Sequence, residues 1–235
     1  MPRVGVVIPA GGRGTRLGSR LPKQFLPLHG IPILQRTLAI FEDIPQVKEI
    51  VVASPAGYVP RVERLARRLE CTKVSRIVAG GEERQESVWN ALRAFSSAPD
   101  IVLVHDAVRP LVSKRVINAV IASASKYGAA VVGVKISETI KMEGKRGFYE
   151  CTLDRKKLWA VQTPQGFRYG LLVKAHRSAR RSRYKGTDEA SLLERIGIPV
   201  RIVEGDRMNL KITTRHDFRL AEMLLKKRKS DSGRH

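Results

Sequence analysis

A chain of 235 residues, 43% hydrophobic and 28% charged, is long enough to bury one sizeable core and too apolar to stay disordered. No apolar run approaches the roughly 20 residues of a membrane span, and Met1-Pro2-Arg3-Val4 lacks the plan of a secretion signal, so a cytoplasmic protein is expected. The balance of 44 Lys and Arg against 22 Asp and Glu gives +22, which favours anionic partners: nucleotides, phosphorylated metabolites, nucleic acid or anionic membrane. Cys71 and Cys151 form neither a ligand-spaced pair nor a C-x-x-C and are read as structural thiols.

The first element is a β-branched strand over residues 4–8. It runs into the turn Pro9-Ala10-Gly11-Gly12-Arg13-Gly14-Thr15-Arg16, followed by Leu21-Pro22-Lys23-Gln24-Phe25. A strand that ends in glycines brings bare backbone N–H groups up to a phosphate. Arg13, Arg16 and Lys23 add fixed positive charge beside it. The spacing matches neither GxxxxGK[ST] nor a GxGxxG with its later acidic residue, so this is another kind of nucleotide loop.

Beyond it, strands over 49–53, 74–78, 101–105 and 129–134 alternate with amphipathic helices over 33–41, 58–69, 84–95 and 114–127. That order predicts an α/β, Rossmann-like, mainly parallel sheet flanked by helices. After Lys135 the pattern breaks. Residues 137–150 read as two polar strands around a glycine-bearing turn, a β-hairpin arm projecting over about 137–156. Helices over 169–180 and 189–195, a strand over 200–203 and a helix near 215–227 complete a single domain over 1–228. Residues 229–235 are expected to form a disordered basic tail.

Two further constellations carry chemistry. The strand over 101–105 ends in His105-Asp106-Ala107-Val108-Arg109-Pro110. An Asp at the carboxyl end of a strand in an open α/β sheet faces the ligand crevice, and Asp106 is the predicted ligand of a Mg2+ that bridges triphosphate oxygens. His105 is expected to be a packed strand residue. The run Gly80-Gly81-Glu82-Glu83-Arg84-Gln85-Glu86-Ser87 repeats the strand, glycine, helix plan. It serves equally as a turn with a helix cap or as a place where Gly81, Glu82 and Ser87 read the edge of a nucleobase.

The strand, G-G-x-G-T-R and P-K-Q order resembles that of sugar-nucleotide and related nucleotidyltransferases. Pro9-Ala10-Gly11-Gly12-Arg13-Gly14, Pro22-Lys23-Gln24, Gly80-Gly81-Glu82-Glu83-Arg84, His105-Asp106-Ala107-Val108-Arg109-Pro110, Gln162-Thr163-Pro164-Gln165, Thr187-Asp188-Glu189-Ala190-Ser191 and Asn209-Leu210-Lys211-Ile212-Thr213 together resemble the 2-C-methyl-D-erythritol 4-phosphate cytidylyltransferases over nearly the whole chain.

The resemblance implies cytidylyl transfer from CTP to methylerythritol phosphate with release of pyrophosphate, a step of the non-mevalonate isoprenoid route. It implies Arg16, Lys23 and Lys211 as catalytic cations. The CTP site would comprise Pro9, Ala10, Gly11, Gly12, Arg13, Gly14, Thr15, Gly81, Glu82, Arg84, Ser87 and Asp106, with Mg2+ on Asp106. It also implies a homodimer clasped by the arm, with the acceptor held by Thr187 and Asp188 of one subunit and by Thr139, Arg109 and Arg155 from the arm region of the other. Arg155 reads alternatively as an exposed loop charge, and Asp188 as a helix cap that is compatible with binding. Ribitol 5-phosphate cytidylyl transfer is the runner-up reading. A basic nucleic-acid-binding protein is the alternative from another class, disfavoured by 6% aromatics and the lack of a reading module.

Overall fold

A computed structural model describes residues 1–12 and 21–232. Arg13, Gly14, Thr15 and Arg16 of the expected nucleotide loop lie outside the described residues, as do the last three residues of the expected tail. In chain order, β1 (Val4–Pro9) leads through a short 3-10 turn (Lys23–Phe25) to the small hairpin β2 (Pro27–Leu28) and β3 (Ile31–Pro32). Then come α1 (Ile33–Glu42), β4 (Val47–Ser54), α2 (Val59–Arg68), β5 (Val74–Ala79), α3 (Arg84–Leu92), β6 (Ile101–Val104), α4 (Lys114–Tyr127) and β7 (Ala129–Lys135). The arm strands β8 (Lys141–Glu143) and β9 (Tyr149–Thr152) precede β10 (Trp159–Arg168), α5 (Tyr169–Arg181), α6 (Glu189–Arg195), β11 (Arg201–Glu204) and α7 (Arg215–Ser232). Helix α7 continues past Arg228, where the sequence reading ended the folded body.

Seven strands form one sheet in the order β11-β7-β10-β6-β1-β4-β5. All neighbours are parallel except β10, which runs antiparallel to both β6 and β7. Alternation along the buried strands builds the two faces. Val4, Val6 and Ile8 of β1 pack with Leu34 and Phe41 of α1, Val62 of α2 and Val116 and Val120 of α4. Val7 packs on the other face with Val88 of α3, Leu172 of α5 and Leu193 of α6. Each such side chain is fully buried, a contribution of about 1.5–3 kcal/mol apiece. Ser113 starts α4 by accepting the Val116 N–H at 3.3 Å, and Gly128 ends it at φ +90°.

Sequence patterning did not reveal β10. Pro164 and Gly166 break the apolar run, and a proline within a strand argues against one. The strand tolerates them through a register shift: Gln162 pairs with Val132 and Gln165 with Val131, so Thr163 and Pro164 stand outside the β7 ladder. Gly166 belongs there because a Cβ would sit 2.7 Å from Val120 of α4. β8 and β9 pair only with each other, and the hairpin carries Phe148 and Tyr149 at 74% and 64% exposure. A two-stranded hairpin is marginal by itself in water. No helix among the described residues is long and apolar enough to cross a membrane.

Candidate active site

From β1 the chain crosses to β4 on one side, and it later returns through β6 to the other, so the carboxyl ends of β1 and β6 flank a topological switch point. A cleft of about 790 Å³ opens there. Its walls are Pro9, Ala10, Gly11 and Gly12 after β1, Pro55 and Ala56 after β4, Gly80 to Arg84 with Ser87 after β5, and Asp106 to Val108 after β6. Lys23, Gln24 and Lys211 complete them. The structure brings Pro9, Ala10, Gly11, Gly12, Lys23, Gly81, Glu82, Arg84, Ser87, Asp106 and Lys211 of the expected site together on one cavity.

Local packing explains each position. Phe25 is buried and stacks on Tyr58 at 5.1 Å, while Gln24 Nε2 donates to the Ala10 carbonyl at 2.5 Å. These anchors set Lys23 beside the glycine turn, 3.9 Å from where a Gly12 Cβ would stand. Lys211 is held by its neighbour Ile212, which is buried with Leu28, Ile33 and Val108 and donates its N–H to the Val108 carbonyl at 3.0 Å. Ser87 Oγ accepts the Gly81 N–H at 3.1 Å and donates to the Glu83 carbonyl at 3.2 Å, which closes the glycine turn over α3. A Cβ on Gly80 would lie 2.8 Å from that Oγ.

Asp106 is the electrostatic centre. Lys211 Nζ approaches Oδ2 at 2.8 Å, Arg84 Nε approaches Oδ1 at 3.3 Å and Arg109 Nε approaches Oδ2 at 3.6 Å. Burial alone would raise this carboxyl, but Arg84, then Lys211 and Arg109, hold it well below the usual carboxylate range. Arg84 NH1 also meets both oxygens of Glu189, at 2.9 and 2.8 Å. Glu189 and Asp106 raise the Arg84 guanidinium against the penalty of its burial. Two carboxylates against three cations leave the cluster at a net +1, suited to an anionic ligand.

Beneath it, β10 and β6 fix the Asp106 backbone. The Asp106 N–H donates to Thr163 Oγ1 at 3.0 Å, and Thr163 lies 3.2 Å from His105 Nδ1. His105 Nε2 is 3.1 Å from the Arg109 carbonyl, which only accepts, so Nε2 carries the proton and Thr163 O–H donates to Nδ1. Burial pushes His105 down to about 4, consistent with a neutral ring. It is packed, as the sequence suggested, but lies one residue past the end of β6. Asn209 Nδ2 donates to the Thr163 carbonyl at 2.8 Å and to Gln162 Oε1 at 3.2 Å, and Arg109 NH1 donates to the Asn209 carbonyl at 2.7 Å.

Among the acceptor-side expectations, Arg109 is corrected. It is buried in the Asp106 cluster of its own chain and is no part of the arm. Thr139 and Arg155 are exposed at the base of the arm, with Arg155 NH1 donating to the Ser137 carbonyl at 2.6 Å, and neither lines the cleft of its own chain. Asp188 caps α6 by accepting the Ser191 N–H at 2.9 Å, and it accepts from Gln165 Nε2 at 2.6 Å. Exposed Thr187 precedes it. Glu189, Thr163 and Asn209 were not singled out as site residues, although all three stood in quoted motifs. Their signal was a buried polar side chain, which only packing reveals.

Among the described residues no group of three or more His, Cys, Asp or Glu side chains stands together to hold a metal. Asp106 offers one carboxylate with a cation at each oxygen. This donor set does not make a free-standing metal site. Asp106 is the residue that would hold a Mg2+ brought in with a nucleotide.

A glycine-walled cleft at the switch point of this sheet, with Lys23, Arg84 and Lys211 on its lining, suits a phosphate-bearing ligand. The profile of the 2-C-methyl-D-erythritol 4-phosphate cytidylyltransferase family matches residues 4–227. The chain is 51% identical over 222 residues to the protein of that name from Symbiobacterium thermophilum, covering 94% of this chain and 92% of the relative. It is 46% identical over 233 residues to the one from Pelotomaculum thermopropionicum, covering 97% and 96%. The crystal structure of 2-C-methyl-D-erythritol 4-phosphate cytidylyltransferase from Thermus thermophilus superimposes with a TM-score of 0.78 at 37% identity, over 94% of this chain and 98% of that one. The chain belongs to the 2-C-methyl-D-erythritol 4-phosphate cytidylyltransferase family.

Proposed function

We propose that the chain transfers the cytidylyl group of CTP to 2-C-methyl-D-erythritol 4-phosphate, giving 4-diphosphocytidyl-2-C-methyl-D-erythritol and pyrophosphate in the cytoplasm. Family membership supports the activity, and the observation that carries the site is Lys211 set 2.8 Å from Asp106 on the wall of the glycine-lined cleft. The runner-up ribitol 5-phosphate reading and the nucleic-acid reading are not favoured by the family match.

The acceptor is a phosphate monoester with a second pKa of about 6, so near neutral pH it is already a nucleophilic dianion and needs no general base. Its phosphate oxygen attacks the α-phosphorus, the α–β bridging bond breaks, and its electrons leave on pyrophosphate. The obstacle is anion approaching anion. Catalysis therefore rests on cations fixed around the in-line arrangement. Lys23 and Lys211 act on the α-phosphate and the leaving group, a role that the family resemblance also gives to Arg16, and Asp106 holds Lys211 in place until the phosphate takes it over. Asp106 would hold a Mg2+ brought in with the nucleotide, and such an ion would supply further charge neutralisation. The turns at Ala10, Gly11, Gly81, Glu82 and Ser87 read cytosine, largely through backbone atoms.

The acceptor side combines Thr187 and Asp188 with Thr139 and Arg155 from the arm of a second copy, in a homodimer. The exposed Phe148 and Tyr149 of the hairpin support that assembly, because a lone hairpin with bare aromatics gains stability when covered. Pyrophosphate release tests the reading: it is expected to require CTP and methylerythritol phosphate together. Equal turnover with ATP would refute the cytosine assignment.

A further inference from the structure

We propose that Glu189 is a positioning residue of the transfer reaction, acting through Arg84: it takes the shorter contacts of that guanidinium, so that Arg84 keeps only a longer contact with Asp106 and Asp106 is left to steer Lys211. This rests on the cytidylyl-transfer reading. Glu189 is 1% exposed, far too buried for a solvated surface charge, and lies 105 residues from Arg84 in sequence. Both its oxygens meet one nitrogen, Arg84 NH1, at 2.9 and 2.8 Å. Arg84 Nε reaches Asp106 Oδ1 at the longer distance of 3.3 Å, while Lys211 takes Oδ2 at 2.8 Å. One guanidinium thus spans the first residue of α3, the end of β6 and the first residue of α6. It also lines the cleft.

The consequence is a division of Asp106 between two cations. With the Glu189 charge present, the strong contact of Arg84 is to Glu189, and the short contact of Asp106 is to Lys211. With that charge removed, Asp106 becomes the only carboxylate paired with Arg84, and a buried cation moves towards its remaining counter-ion. Lys211 then loses its guide. At the same time the cluster goes from net +1 to +2, which favours an anionic nucleotide. Turnover and nucleotide affinity should therefore part company, which a merely structural ion pair does not produce.

The test is Glu189→Gln in the full chain, with CTP affinity and stoichiometry measured calorimetrically in the absence of acceptor, and kcat measured with both substrates. The expected result is a kcat at least tenfold lower, with CTP bound at full stoichiometry and at least as tightly as by the wild type. In the Arg84→Gln background, Glu189→Gln is expected to change kcat by less than about twofold, because the pathway through Arg84 is already gone. A wild-type kcat in Glu189→Gln, multiplicative losses in the double variant, or a kcat loss matched by weaker CTP binding would each overturn the proposal. If Glu189→Gln does not fold, Glu189→Asp carries the test. Its shorter side chain reaches Arg84 less well and lets the guanidinium move towards Asp106, so a lowered kcat at unchanged CTP affinity supports the role and a wild-type kcat refutes it. A wild-type chain that releases no pyrophosphate would instead refute the proposed function itself.

Discussion

Lys211 and Lys23 bring charge to the cleft by different routes, one steered by Asp106 and the other set by Gln24 bonded to the Ala10 carbonyl and Phe25 stacked on Tyr58. Neither lysine is a core residue: the Lys211 side chain is 42% exposed and Lys23 is half-buried. Replacing either by Ala should therefore leave the fold intact and lower kcat about 10²-fold, the scale of losing one preorganised electrostatic contact. Steady-state kinetics on the folded variants check this. His176 gives a prediction of another kind. It is buried against Trp89, neither ring nitrogen has a hydrogen-bond partner among the described residues, and burial, then Arg84, pushes it down to about 4. An unfolded histidine titrates near 6.5, so between that pH and about 4 the unfolded chain binds more protons and stability falls as pH falls. His105 adds a loss of the same sign. His176→Phe, which preserves the stacking, should lose less stability between pH 7 and pH 5 than the wild type does, as read from urea midpoints. An identical loss would contradict the assignment.

At the scale of elements, the alternating strands and helices were legible because each buries a continuous apolar stripe, and the expected ends fall close to those found, as for α1 over Ile33–Glu42. The strand β10 was not legible. Its Thr163 and Pro164 leave the ladder, and Thr163 turns to the Asp106 backbone, so the residues that spoil its periodicity are those that serve the site. The surroundings of Arg109 were illegible for a related reason: its motif fixed where it lies in sequence, but only packing shows that it is buried against Asp106 and the Asn209 carbonyl. Glu189 hid behind Asp188, whose capping role accounts for the motif without it. The arm was legible as a hairpin from its glycine turn and polar strands. If it completes the acceptor site of a second copy, Arg155→Ala and Lys23→Ala subunits, each strongly impaired alone, should regain activity on mixing, through heterodimers with one intact site. No recovery after verified subunit exchange would rule out sharing.

Over the whole molecule, the +22 charge far exceeds what the cleft uses. The surplus lies on outward helix faces: Lys174, Arg177 and Arg181 form one exposed side of α5, opposite its buried Leu172, Ala175 and Ala179. Exposed charges more than about 8 Å from a ligand are largely screened at physiological ionic strength. This surplus therefore raises the general attraction for anions, while specificity stays with the fixed groups around Asp106. The sheet supplies that fixity, because the turns after β1, β4, β5 and β6 all converge on one cleft with Lys211 brought in from the far end of the chain. The most direct test of the account is acceptor choice: pyrophosphate release from CTP and Mg2+ with methylerythritol phosphate and ribitol 5-phosphate offered in parallel. The account predicts a kcat/KM for methylerythritol phosphate at least 10²-fold above that for ribitol 5-phosphate, about 2.7 kcal/mol of discrimination. Equal rates, or a preference for ribitol 5-phosphate, would contradict it.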